Sequence, residues 1–286
     1  MQKEIEQVAF TPPPLACDAH FHIFGDPRKY PYKSDLRYTP QIATADDYLK
    51  LAARLGIQRM VLVQPSCFGM DNSCQLDAAE QYGTDRVRVV VDVDETVTEK
   101  ELHELHQKSA RGIRINVNPV QPLTYGLAES LLPKIRFMEE RCKTFGWSLD
   151  FLFPDWLCTE MIPYLDKLRV PFTIAHMGMN KACNGTGSRG FKLLVDLARN
   201  GEGYCWIKLT APYRVSLDPE YTDVVPLAQA VIEAAPRRVV WGSDYPHASF
   251  SHHDTTKIFN LLLRIAPDEA VRKSILVDNP SALYGF

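Results

Sequence analysis

The segment SLDFLFPDWLCTEMIPYLDKLRVPFTIAH, residues 148–176, decides the fold. Ser148–Phe153 and Phe172–Ala175 are short, mostly apolar runs, and Trp156–Leu168 between them carries helical periodicity. Run, helix, run is the pattern of two parallel strands joined by a crossover helix. Near-continuous apolar character, in place of strict alternation, fits strands covered on both faces.

The unit repeats in both directions. Further strand-like runs lie at Ala16–Ile23, Met60–Pro65, Val87–Val93, Gly112–Val117, Cys205–Leu209 and Val239–Gly242. Helix-like stretches follow at Thr44–Leu55, Asn72–Tyr82, Thr98–Ser109, Glu129–Phe145, Phe191–Asn200, Val224–Ala234 and Thr255–Ile265. A doubly wound sheet uses the same local pattern, but eight units in one chain favour a closed α/β barrel. The length of 286 residues suits it, since a (β/α)8 barrel takes about 250. No linker or low-complexity tract divides the chain. The expectation is one (β/α)8 TIM-barrel domain over 1–286 with a short N-terminal extension, 1–14. Phe24–Gln41 and Asn180–Arg189 read as long loops, and a helix at Pro267–Leu276 with the NPSALYGF tail closes the chain.

Composition narrows the class. The chain is 45% hydrophobic and 23% charged, with 32 Lys+Arg against 35 Asp+Glu. A net charge of −3 argues against a nucleic-acid partner, which calls for a basic surplus. No apolar run reaches the roughly 18–20 residues that span a bilayer. The start, MQKEIEQVAFTPPPL, lacks the apolar core of a secretory signal. Seven cysteines without a C-x-x-C pair read as reduced thiols of a cytoplasmic protein. The Asn184 sequon is then idle. Nothing in the sequence fixes an oligomeric state.

In such barrels the functional groups sit where strands run into the following loops. The first run ends in Asp18-Ala19-His20-Phe21-His22. Alternation puts both imidazoles on one face, about 7 Å apart along the strand, where they can converge on a metal ion or a substrate oxygen. A buried structural pairing is the alternative, though two polar rings in a barrel core need partners. The sixth run ends in His176-Met177-Gly178, and the eighth delivers Asp244 into Gly242-Ser243-Asp244-Tyr245-Pro246-His247. Asp244 as a helix N-cap is the competing reading; Pro246 and the distance to Thr255 weigh against it. Together these four groups form a far more specific set than any of them alone.

DAHFHIFG, HMG and WGSDYPH, in that order, resemble the amidohydrolase superfamily, in its branch of 2-pyrone-4,6-dicarboxylate lactonases. VLVQPSCFGMDNSCQLDA, ARGIRINV, WIKLTAPYR and NPSALYGF extend the resemblance over nearly the whole chain. The resemblance implies a hydrolase that opens a lactone, a cyclic ester, of a small carboxylated substrate. Asp244 would be the base that activates water, and His20, His22 and His176 would polarise the carbonyl. Arg114 and Arg214 would hold a substrate carboxylate by bidentate pairing. Ser66 and His247 would add hydrogen bonds to the ligand or to Asp244. Surface positions are the alternative for both arginines, and Arg111 reads as structural.

Two departures bear on the substrate. The branch carries another arginine shortly after the fourth strand, where this chain has Asn118-Pro119-Val120-Gln121-Pro122, and a tyrosine near the end of the fifth, where it has Leu149–Phe153. Losing a cation and a phenol points to a lactone or related ring with one carboxylate, or with a less polar substituent, rather than the pyrone dicarboxylate itself. As cofactor, the resemblance implies none or one divalent ion, zinc or manganese, on His20, His22, His176 and Asp244; Arg114 stands where binuclear relatives bridge two metals. Alternatives are a metal-dependent decarboxylase of an aromatic or unsaturated acid, a lactone isomerase, and a non-catalytic barrel that binds a small ligand.

Overall fold

The structure is a computed structural model that describes residues 6–200, 202–250 and 253–286; part of the expected extension over 1–14, residues 1–5, lies outside them. Eight strands run β1 Cys17–Phe21, β2 Arg59–Val63, β3 Val87–Val91, β4 Ala110–Asn116, β5 Ser148–Leu152, β6 Phe172–Ile174, β7 Cys205–Leu209 and β8 Val239–Trp241. They pair in sequence order, each parallel to the next. Between them lie α1 Ala45–Leu55, α2 Ser73–Tyr82, α3 Glu99–Gln107, α4 Leu127–Phe145, α5 Asp155–Leu165, α6 Arg189–Asn200 and α7 Val225–Ala234. The expected eighth helix is two pieces, α8 Thr255–Asn260 and α9 Leu262–Ile265.

The helices start where their caps dictate. Thr44 and Thr98 close capping boxes with Asp47 and Glu101, satisfying N–H groups that have no partner inside the helix. Gly56 ends α1 at φ 67, a left-handed conformation that a side chain would strain.

Strand alternation splits the interior in two. Met60, Leu62, Val89, Ile113, Leu149, Phe151 and Ile207 belong to the large cluster that joins sheet and helices. Cys17, Ala19, Val61, Val63, Val90, Trp206 and Val240 form a second cluster in the lumen, closed by Leu283 and Tyr284. The NPSALYGF tail is therefore not a loose end. Its helix α11, Asn279–Tyr284, plugs the floor, and Arg88 from β3 donates to the carbonyls of Tyr284, at 3.1 Å, and Gly285. Before it, the closing helix expected over 267–276 is shorter, α10 Glu269–Lys273, and passes into a π-turn over Ser274–Asp278.

The ring closes between β1 and the end of β8. Asp244 N–H donates to the His20 carbonyl, and His22 N–H donates to the Tyr245 carbonyl, each at 2.8 Å. The buried Asp18 carboxylate reinforces the seam, accepting from Ser243 N–H at 2.9 Å, His20 N–H at 3.1 Å and the Tyr48 hydroxyl at 2.9 Å. Gly242 permits this approach, because a Cβ there would meet the His20 Cβ at 2.6 Å. Among the described residues no helix is long and apolar enough to cross a membrane.

Candidate active site

Three strands break into left-handed residues at the same end of the barrel: His176 after β6 at φ 53, Ala211 after β7 at φ 48 and Asp244 after β8 at φ 55. Such turns cost energy for residues with a Cβ and concentrate at functional sites. Here they turn the chain sharply where His176 and Asp244 meet the histidines of β1.

Asp244 is buried and anchored from both sides. One carboxylate oxygen, Oδ2, accepts from the Tyr213 hydroxyl and lies 3.6 Å from Arg214 Nε. The other, Oδ1, lies 3.4 Å from Nε2 of both His20 and His22. Burial alone would raise its pKa. His176, the contacts to His20 and His22, and Arg214 outweigh that and hold it well below the usual carboxylate range. Asp244 is thus a carboxylate at any working pH.

The second ring nitrogens set the character of each histidine. His22 Nδ1 lies 2.6 Å from the Val63 carbonyl, an acceptor, so Nδ1 carries a proton and Nε2 is the atom turned toward Asp244. His20 is the reverse case. Its Nδ1 lies 3.2 Å from Lys208 Nζ, so it accepts and leaves N–H at Nε2, a buried atom without a hydrogen bond. His176 Nδ1 lies 2.6 Å from the Thr210 hydroxyl, which already accepts the His176 backbone N–H at 3.2 Å. With the hydroxyl's own proton turned to Nδ1, the neutral ring carries its proton as an Nε2–H donor. Burial pushes the His176 imidazolium down to about 3, so the ring stays neutral.

Below the histidines the lumen is ionic. Lys208 on β7, fully buried, pairs with Asp150 on β5, which also accepts from the Thr173 hydroxyl at 2.7 Å. Arg114 on β4 has Nε 3.9 Å from Asp150 and donates to the Gln64 carbonyl at 2.5 Å. Burial would raise the Asp150 carboxyl; Lys208, with His20 and Arg114, reverses this and holds it below the ordinary range.

A cavity of about 240 Å³ opens above this layer, below the roughly 300–1,000 Å³ typical of drug-sized pockets. Of the expected site residues, His22, His176, Asp244, Arg114, Arg214 and Ser66 line it. His20 does not, standing behind Asp244 at the seam. Nor does His247, whose Nε2 faces the Thr255 hydroxyl at 2.9 Å and whose ring packs on Tyr213. Its place is the support of the loop after β8. Sequence reasoning missed Tyr213, Thr210, Lys208 and Asp150, together with Arg37 and Tyr38, which reach the cavity from the long loop after β1. A lone charge inside an apolar strand run was the available signal for Lys208 and Asp150.

His20, His176 and Asp244 offer ligand atoms within 4.8 Å of one another, and the unpartnered His20 Nε2 is among the groups facing that point. In donor type and spacing the three suit one zinc or manganese ion. His22, the expected fourth ligand, is not one of the three, although its Nε2 also lies 3.4 Å from Asp244 Oδ1. Coordination by His20 Nε2 requires its proton to move to Nδ1 and the Lys208 hydrogen bond to break, and coordination by His176 Nε2 requires its Nδ1 to carry the proton toward the Thr210 hydroxyl.

Fold and site define a (β/α)8-barrel enzyme with a His–Asp centre at the C-terminal mouth. The amidohydrolase family model matches residues 17–286, and the chain belongs to that family. It is 37% identical over 289 residues to a 4-sulfomuconolactone hydrolase of Hydrogenophaga intermedia, covering 99% of this chain and 93% of that protein. It is 32% identical to a 2-pyrone-4,6-dicarboxylate hydrolase of Comamonas testosteroni, covering 96% and 92%. An apo crystal structure from Agrobacterium tumefaciens superposes with a TM-score of 0.84 at 27% identity, over 96% of this chain and 97% of that one.

Proposed function

We propose that the protein hydrolyses the ring ester of a small acidic lactone. The observation that carries this reading is Asp244: a buried carboxylate with one oxygen fixed by Tyr213 and Arg214 and the other facing His20 and His22 at 3.4 Å, on the wall of a cavity with arginines. The names of two relatives, hydrolases of a muconolactone and of a pyrone, itself a lactone, support it.

The chain's own groups supply each step. Asp244 Oδ1 and the His22 Nε2 lone pair accept the hydrogens of one water and turn its oxygen toward the carbonyl carbon. As the C–O bond forms, Asp244 takes a proton. The neutral His176 Nε2–H faces the carbonyl oxygen and hydrogen-bonds the negative charge that develops there. Collapse breaks the ring C–O bond, and the proton on Asp244 passes to the departing oxygen, giving an open-chain acid. His20, polarised by Lys208, steadies the Asp244 charge from behind. Arg114, Arg214 and Ser66 orient the substrate's acid group. A divalent ion, if bound by His20, His176 and Asp244, would act as a Lewis acid and lower the pKa of water.

Turnover of acidic lactones in ¹⁸O-water tests the reading. One labelled oxygen in the new carboxylate is expected. Release of carbon dioxide selects decarboxylation, and unlabelled product with an intact ring selects isomerisation. Single buried thiols at six of seven cysteines support a reducing, cytoplasmic location.

A further inference from the structure

The wall of the cavity is not uniform. His22 after β1, Ser66 after β2, Arg114 and Asn116 on β4, His176 after β6 and Asp244 after β8 bring polar groups to it, whereas β5 brings Leu152. Leu149 and Phe151 belong to the outer cluster of sheet and helices, so alternation puts Asp150 and Leu152 on the inner face, with Leu152 nearer the mouth. Asp150 is spent on Lys208 and Thr173. Leu152 packs on Ala175 and Met179, a small apolar cluster separate from the outer and the lumenal ones.

The loop after β4 enlarges this corner. It leaves from beside Leu152, whose carbonyl accepts from Val117 N–H at 2.9 Å, and its Gln121 carbonyl accepts from the Trp156 indole of α5 at 2.8 Å. Between these two ties Pro119 and Val120 line the cavity, and Val120 is still 78% exposed, an apolar side chain at the mouth that a ligand would cover. In a ring ordered β1 to β8, β5 lies opposite β1, so the corner faces His22 and Asp244 across a cavity of about 240 Å³. A carboxylate set against Leu152 and Val120 would lose water without gaining a donor from either. A hydrocarbon group gains by the same burial.

We propose that Leu152, with Pro119 and Val120, forms a subsite for an alkyl group, so that the substrate is an acidic lactone with a methyl-sized hydrocarbon substituent on the edge away from its reacting carbonyl. The proposal rests on the lactone reading of the site. Leu152 and Val120 are then specificity residues, and the polar wall opposite them carries out the reaction.

Binding without turnover separates this from the lactone reading. Calorimetry would use 2-furoate, 5-methyl-2-furoate and furan-2,5-dicarboxylate, ring acids of one skeleton that lack a cleavable ester and differ at the far position. The wild type should bind the methyl ligand about three- to tenfold tighter than 2-furoate, the worth of one buried methyl group. It should bind the dicarboxylate more weakly than the methyl ligand. Leu152→Asn should bring the methyl preference to about one. Because Leu152 also packs on Ala175 and Met179, Val120→Asn supplies a second variant, at an exposed position, and should reduce the preference. Leu217→Asn, at an 83% exposed position on the loop after β7, should keep all of it. A wild type without methyl preference overturns the proposal, as does tighter binding of the dicarboxylate, or an unchanged preference in Val120→Asn or in folded Leu152→Asn. On lactones, kcat/KM should be higher for a methyl-substituted acidic butenolide than for the unsubstituted one; if neither is opened, the lactone reading fails while the binding ratio still decides the subsite.

Discussion

Replacing Lys208 with Met separates what the buried ion pair does for the fold from what it does for the chemistry. Lys208 and Asp150 are 0% and 1% exposed. Met fills a similar volume and removes the charge, leaving Asp150 ionised with the Thr173 hydroxyl at 2.7 Å and Arg114 at 3.9 Å. Breaking one side of a buried pair costs about 3–5 kcal/mol. The second cation, Arg114, puts Lys208→Met near the lower end, about 3 kcal/mol. At roughly 2–4 °C per kcal/mol for a chain of this size, the melting temperature falls by about 10 °C. The double variant Asp150→Leu/Lys208→Met removes both charges and should unfold in urea within about 1 kcal/mol of wild type. Its kcat should nonetheless stay at least about tenfold low, because His20 Nδ1 no longer faces a donor and its Nε2–H is no longer enforced. A loss below 1 kcal/mol in Lys208→Met refutes the stability argument. Wild-type kcat in the double variant refutes the positioning role of Lys208.

Asp244→Asn should lower kcat by about 10²–10⁴-fold while KM moves little; retained turnover would remove Asp244 as the base. Burial holds His176 down to about 3 and His247 to about 4, so each is neutral in the fold and protonates more readily in the unfolded chain. Their stabilisation is complete above the unfolded value of about 6.5 and is lost as pH falls toward 4, by about 1.4 kcal/mol per pH unit for each group. Urea titrations at pH 7, 6 and 5 should show that slope, and His247→Gln should reduce it by one proton; an unchanged slope contradicts the assignment. Lys208→Met should also raise zinc affinity by about 10–100-fold, because Nδ1–H of His20 no longer meets a cation; competition with a chromophoric chelator measures it, and equal affinity rejects the tautomer argument.

The barrel and the candidate site at its rim were legible because both depend on local pattern. Eight apolar runs, each trailed by a helix, mark strand ends, and His20, His22, His176 and Asp244 stand at or just past such ends. Lys208 and Asp150 were invisible for a topological reason. They sit inside runs that read as apolar, and β6 lies between their strands, so no local rule pairs them. Arg37 was lost in a loop rich in charges, where only three-dimensional placement distinguishes the one that reaches the cavity. His247, close to Asp244 in sequence, faces the Thr255 hydroxyl and packs on Tyr213 in place of lining the cavity, an arrangement that no local pattern shows.

The charge pattern around the cavity joins these observations. Arg37, Arg114, Lys208 and Arg214 surround the carboxylates of Asp150 and Asp244 in a protein whose overall charge is −3. A net negative protein repels an anionic substrate at long range, and salt screens that repulsion beyond about 8–10 Å. Under the proposed function recognition is then local, and the cations must exceed the Asp244 carboxylate that an acidic substrate would approach. Asp244 would repel an acid group brought beside it, and Arg214, 3.6 Å from its Oδ2, offsets that charge as it orients the base. In the proposed reaction Arg214 would serve both base and substrate. Removing Arg214 should therefore impair substrate binding and kcat together.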